Sequence, residues 1–250
     1  LGLKAGEVIQ HSMITKSSER AQKKVEENNF ATRKRLLEYD DVMNSQREVI
    51  YKRRKNALYG ERLQFDIMNI LYDICEDMAH INKEVIDPDE LRLQAISNLG
   101  IDFQISADEL QKTSESALAE KLYDQAYASY LSKNKVIVDK TLPLLKQLLK
   151  NRGAVVQNIT VPFTDGIKQI GVSVNLQESV NSNGLVVVSE MEKIITVAII
   201  DQVWKEHLRD MDDLKQSVQN AVYEQKDPLL IYKFEGFEMF KLFIGKVNQE

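Results

Sequence analysis

Residues 12–59 contain no glycine and no proline, and Gly60 closes the run. An uninterrupted stretch of that length, with Ser12 or Thr15 available to cap its start, predicts one long helix. At ~1.5 Å per residue it spans roughly 65–70 Å. Its apolar stripe is thin: Leu36, Tyr39, Met43, Ile50 and Ala57, with polar residues at most other positions. A helix with so narrow a stripe makes no core alone and reads as a spine against which other bodies pack. A coiled coil is the alternative, but Gln46 and Arg53 interrupt its seam.

The rest of the chain agrees with a mainly α fold. There are 10 Gly and 4 Pro in 250 residues, too few for a loop-rich or all-β protein. Hydrophobic residues at 43% and charged residues at 28% are ordinary for a folded protein. No run approaches ~18 consecutive apolar residues, and the N-terminus lacks a signal-peptide pattern. The chain opens on Leu1 and closes on Glu250, and both ends read as cuts within a longer protein. Cys75 is the only cysteine, which rules out an internal disulfide and a four-cysteine zinc site; it reads as a buried, inert thiol. Net charge is −5, yet residues 16–62 hold 13 Lys/Arg against 8 Asp/Glu. A basic stretch of this kind suits nucleic acid, acidic lipid or an acidic protein surface, or is simply a solvated face.

Downstream, residues 61–83 form an amphipathic pattern with Phe65, Met68, Leu71, Tyr72 and Cys75 on the apolar side. Asp87-Pro88-Asp89-Glu90 reads as a helix start, with Asp87 capping and Glu90 reaching back, and Gly100 ends that helix. Ser106 to Glu109 opens another helix to about Lys133, and a further helical stretch runs to Lys150 with a break expected near Pro143. Between residues 154 and 176, β-branched residues flank Thr164-Asp165-Gly166, which predicts a β-hairpin. Residues 181–184 are a loop, followed by a helix from about Val187 to Ser217. Asp227-Pro228 caps a last helix whose apolar side carries Leu230, Phe234, Phe237 and Ile244. It faces a stripe of Trp204, Leu208, Met211, Val218 and Val222, giving an antiparallel helix hairpin.

Chemistry-bearing motifs are few. Neither G-x-x-x-x-G-K-[ST] nor G-x-G-x-x-G occurs, so this chain alone offers no usual ATP site. His207 and Asp210 are three apart on a helix, the minimum for a metal or acid–base site, but no second histidine is near. A polar contact beside Trp204 is the plainer reading. Glu38, Asp40 and Asp41 cluster on the long helix, where ion pairing with Arg35 or Arg47 or contact with another domain outweighs catalysis. At the hairpin tip, Gln219, Asn220 and Tyr223 stand in a polar stretch; a tyrosine offers an apolar ring and a polar end together, which suits varied polypeptide.

Three stretches together resemble the SecA family of preprotein translocase motors. They are residues 21–26 with Arg33 to Asn44, then Trp204-Lys205-Glu206-His207-Leu208 with Met211-Asp212, and last Tyr223 to Pro228 leading to Tyr232-Lys233. The resemblance implies an elongated, mainly α architecture in four parts. Residues 1–11 would be the tail of a second nucleotide-binding domain, and 12–61 a helical scaffold. Residues 62–186 would be a helical wing carrying the β-hairpin near 154–176, and 187–250 a second scaffold helix and a two-helix finger. Tyr223, with Gln219 and Asn220, would contact preprotein or channel. Trp204, His207, Tyr39, Asp40 and Asp41 would serve structural coupling. The implied partners are the SecY channel complex, unfolded preproteins and the nucleotide-binding domains of the same chain, with an acidic membrane surface a further candidate and nucleic acid none. ATP and Mg would belong to the longer protein, no cofactor to this piece, and the location would be the cytoplasmic face of the bacterial inner membrane. The sequence departs from the family at Lys215-Gln216-Ser217 and at Ala221-Val222, and residues 136–184 look like an insertion. A non-enzymatic helical adaptor and a small metal-dependent hydrolase using His207 and Asp210 are the rival readings.

Overall fold

A computed structural model describes residues 12–60, 62–152, 157–164, 166, 169–220 and 227–249, apart from the side chains of residues 84 and 152. Eight α-helices and one hairpin follow in order among these residues: α1 (Ser12–Tyr59), α2 (Leu63–Val85), α3 (Pro88–Gln94), α4 (Ala107–Lys112), α5 (Glu115–Arg152), β1 (Asn158–Thr164), β2 (Gln169–Asn175), α6 (Leu176–Asn181), α7 (Leu185–Ser217) and α8 (Pro228–Gln249). The mainly α class is the one the glycine and proline scarcity predicts, and the small sheet among the described residues is the hairpin expected between residues 154 and 176.

Helix α1 is continuous over 48 residues, with the bounds expected from its lack of breakers. Every residue from 12 to 37 is exposed. Burial begins only at Tyr39 and continues through Gln46, Ile50 and Ala57. Two details of the expected stripe change. Leu36 is exposed, and Gln46 lies in the buried seam, because its Nε2 donates to the Gly236 carbonyl at 3.0 Å. A buried amide is tolerated when it is hydrogen-bonded.

Two compact units are distinguished. The first joins residues up to 49 to Met211–Glu238; the second joins Ile50–Asp210 to Met239–Glu250. The second holds two cores. One gathers Cys75, Met78 and Ala79 of α2, Leu91 of α3, and Leu118 and Leu122 of α5. Each such leucine, fully buried, contributes about 1.5–3 kcal/mol. The other packs Val172 and Val174 of β2 on Leu145, Leu176 and Val187.

The local signals at helix ends are mostly realised. Asp87 Oδ1 accepts from the Asp89 and Glu90 amides, but Glu90 does not reach back; its Oε1 takes a bond from Gln94 Nε2 instead. Ser106 caps α4, which stops after six residues rather than running to Lys133. Thr113 turns extended there, and Ser114 Oγ accepts from the Ala117 amide to cap a new helix. That helix, α5, carries Pro143 inside it without breaking. The Thr141 hydroxyl donates back to the Ile137 carbonyl at 2.8 Å in the turn ahead of the proline. Phe65 and Tyr72 are exposed, and the buried face of α2 runs instead through Leu63, Cys75, Met78, Ala79 and Asn82.

The hairpin pairs Asn158 with Asn175 through Thr164 with Gln169, antiparallel. Its alternation buries one face, most fully at Val172 and Val174. Asp165 and Ile167 of the expected turn lie outside the described residues. Gly166 has φ 94, the left-handed region such a turn demands.

Candidate functional site

Two side-chain clusters gather the residues singled out from the sequence, one in each unit. In the first unit, Tyr39 of α1 and Tyr232 of α8 meet with ring centroids 4.8 Å apart and planes at 57°. Tyr232 is fully buried, and burial, with Asp212 and Asp40 nearby, pushes its phenol up to about 12. The Lys215 ammonium sits 5.6 Å above the Tyr39 ring and 3.9 Å from Asp40 Oδ1. Gln219 Nε2 donates to the Lys215 carbonyl at 3.2 Å and lies 3.4 Å from the Tyr39 hydroxyl. Gly236 packs so closely that an added Cβ would lie 2.9 Å from Met211 Cε. These contacts tie α1 to both helices that flank residues 221–226.

The structure therefore brings Tyr39, Asp40 and Gln219 together. Asp41 stays on the exposed side of α1, its carbonyl accepting from Ser45 Oγ. Asn220 is exposed at the end of the described segment. Tyr223, with Val222, lies outside the described residues.

In the second unit, Trp204 and His207 of α7 pack into the aromatic side of α8. The Trp204 ring meets Phe243 edge-on at 5.6 Å, and His207 lies 5.0 Å from Phe243 and 5.8 Å from Phe240. His207 is only 3% exposed. Burial lowers its pKa, and the Asp210 charge opposes that only in part, so the imidazole is neutral near pH 7. The periodicity reading of α8 needs a correction here. Leu230, Phe234 and Phe237 are exposed, whereas Tyr232, Gly236, Phe243 and Val247 are buried. The helix is rotated because Gly236 and Tyr232 offer the shapes that fit Met211 and Tyr39. The sequence signal of this close approach is the glycine in mid-helix, Gly236, which the apolar periodicity leaves out.

Charged pairs finish this cluster. Arg54 of α1 holds Asp201 of α7 through two bonds, at 2.7 and 3.0 Å, and this keeps the Asp201 carboxyl below its usual range. Lys246 Nζ lies 2.5 Å from Glu206 Oε2. A cleft of about 150 Å³ opens between Val203, His207, Asp210 and Leu242. No group of three or more His, Cys, Asp or Glu that could hold a metal occurs among the described residues. Among them too, no helix is long and apolar enough to cross a membrane. The arrangement braces helices against each other.

The family model for the SecA Wing and Scaffold domain matches residues 8–250. The protein translocase subunit SecA of Cytophaga hutchinsonii is 53% identical over 250 residues, covering 100% of this chain and 22% of the relative. Its namesake from Flavobacterium psychrophilum is 52% identical with the same coverage, and one from Porphyromonas gingivalis is 44% identical. The chain thus spans about a fifth of the length of these curated relatives.

Proposed function

Since the chain belongs to the SecA family, matched along residues 8–250, we propose that it is the helical region through which an ATP-driven translocase meets its substrate and channel. In this reading the longer protein pushes unfolded preproteins through the SecY channel at the cytoplasmic face of the inner membrane. Residues 12–61 are the scaffold helix, 62–186 the wing, and 187–250 the second scaffold helix and the finger. The residues present do not fit a nucleotide site, because no phosphate-cradling loop occurs in the sequence. ATP and Mg therefore belong to the rest of the protein, and no step here runs through them.

One observation carries the mechanical part. Tyr39 of the long helix is locked against Tyr232 and against the Lys215–Gln219 end of α7. A displacement of α1 at Tyr39 is thereby passed to both helices that enter and leave residues 221–226. Packed interiors transmit such shifts because they have little free volume to absorb them. Asp40 adds a charge contact to the same joint, and Asp41 faces outward, where another domain can meet it. Trp204 and His207 brace the hairpin further along. Tyr223, with Gln219 and Asn220 close to it in the sequence, is the group we assign to preprotein or channel.

The test is Tyr223→Ala in the full-length protein. Export falls while the folding transition stays unchanged. Undiminished export sinks the fingertip assignment.

A further inference from the structure

The negative charge of this chain is concentrated in one place. Residues 63–131 hold 14 Asp and Glu against 4 Lys and Arg, a net −10 with His neutral. Three of the four cations are already engaged, and the fourth, Lys112 at the end of α4, is exposed. Arg92 pairs with Asp102, Lys121 with Glu109, and Lys83 Nζ donates to the Leu110 and Gln111 carbonyls. On α2 and α5, Asp73, Glu76, Asp77, Glu120 and Asp124 are exposed and in no ion pair among the described residues.

Along α2 and α5 those carboxylates lie within one or two helical turns, in sequence, of a row of tyrosines. Tyr72 of α2 meets Tyr123 of α5 edge-on at 5.6 Å; Tyr123 stacks on Tyr127 at 5.8 Å, and Tyr127 on Tyr130 at 6.1 Å. The row lies at the rim rather than in the core: Tyr72 is 36% exposed, and the other three are half-buried. The row ends on a second, independent feature. The Tyr130 hydroxyl donates to Glu192 Oε1 at 2.5 Å, while Glu192, only 7% exposed, has no hydrogen-bond partner for Oε2. A buried carboxylate oxygen without a donor is costly to leave so, and a donor arriving beside Tyr130 removes that cost.

The chemistry selects the partner. Ring faces are negative and attract cations, Arg above all. Unpaired carboxylates repel nucleic acid and acidic lipid, and a neutral apolar partner would strip their water without return. We propose that the tyrosine row Tyr72–Tyr123–Tyr127–Tyr130, ending on Glu192, is a docking surface for an extended lysine- and arginine-bearing segment of another polypeptide. The basic side chains lie over the rings, pair with Glu76, Glu120 and Asp124, and the last one reaches Glu192 Oε2 as the Tyr130 ring swings aside. This surface is distinct from the fingertip and does not depend on that assignment.

The probe is a fluorescein-labelled twelve-residue peptide of alternating Arg and Leu, titrated with the 250-residue chain and read by anisotropy. Binding is expected, with none for the matching Glu–Leu peptide. Glu120→Lys with Asp124→Lys weakens binding about tenfold or more. Asp89→Lys with Asp108→Lys, the same charge change away from the row, shifts it less than about threefold. Tyr127→Ala weakens it about fivefold while Tyr127→Phe keeps it, and Glu192→Gln weakens it about threefold; circular dichroism confirms that each variant is folded. Equal losses from the two double reversals would mean diffuse charge alone and overturn the proposal. So would absence of binding, indifference to both Tyr127→Ala and Glu192→Gln, or occupation of the row by a second copy of the chain, seen as salt-sensitive self-association that Glu120→Lys with Asp124→Lys abolishes.

Discussion

The buried imidazole of His207 makes stability depend on pH in a defined window. His207 is 3% exposed, set against Trp204, Phe240 and Phe243, and its folded-state pKa lies below the ordinary 6.5. The unfolded chain therefore takes up a proton near pH 6.5 while the folded chain does not. Stability from this site is complete above pH 6.5 and falls as pH drops toward the folded-state pKa, below which it levels off. Within that window one proton differs between the states, so the slope approaches about 1.4 kcal/mol per pH unit. Carboxylates held below their usual range, such as Asp201 and Glu206, also lose stability in acid. The comparison with His207→Phe isolates the imidazole, since Phe fits the aromatic cluster and takes no proton. Urea unfolding followed by fluorescence of Trp204, the only tryptophan, reads the same cluster between pH 7.5 and 5. The difference in stability between wild type and variant should narrow or reverse steadily below pH 6.5. A difference that stays constant with pH would refute the reasoning.

Other outcomes follow from the packing. Leu122→Ala empties part of a core position with no exposure and should cost about 2–5 kcal/mol in urea unfolding. Arg54→Ala removes a bidentate pair whose side chains are 39% exposed; solvent screening keeps the loss in urea unfolding well below that of Leu122→Ala, and high salt should shrink it further. Pro143→Ala restores a backbone donor inside α5 and should raise the thermal midpoint, since proline in a helix interior is about 3 kcal/mol worse than alanine. A lowered midpoint would show that the proline is needed where it stands.

Much of the fold was legible because it rests on local rules. The absence of Gly and Pro over residues 12–59 gave the length of α1, and Asp87, Ser106 and Asp227 marked helix starts through side-chain caps that the structure realises. Tertiary choices were less visible. The rotation of α8 depends on Gly236 fitting against Met211, and nothing in the periodicity of Leu230, Phe234 and Phe237 reveals that. Gln46 looked like a break in a seam because its partner, the Gly236 carbonyl, is 190 residues away. Pro143 looked like a break in α5, yet the helix continues through it. Of the candidate site, Tyr39, Asp40 and Gln219 do converge, but the joint's other half, Tyr232, entered the sequence reading only as part of a family motif.

The claim that residues 221–226 meet the moving chain is tested most directly by cross-linking. A photoreactive residue is placed at Tyr223 in the full-length translocase, with a preprotein stalled part-way through the channel and ATP present. The account predicts cross-links from position 223 to preprotein or channel, and none from a control at exposed Asp41. Cross-links absent at 223, or equal at both positions, would contradict it.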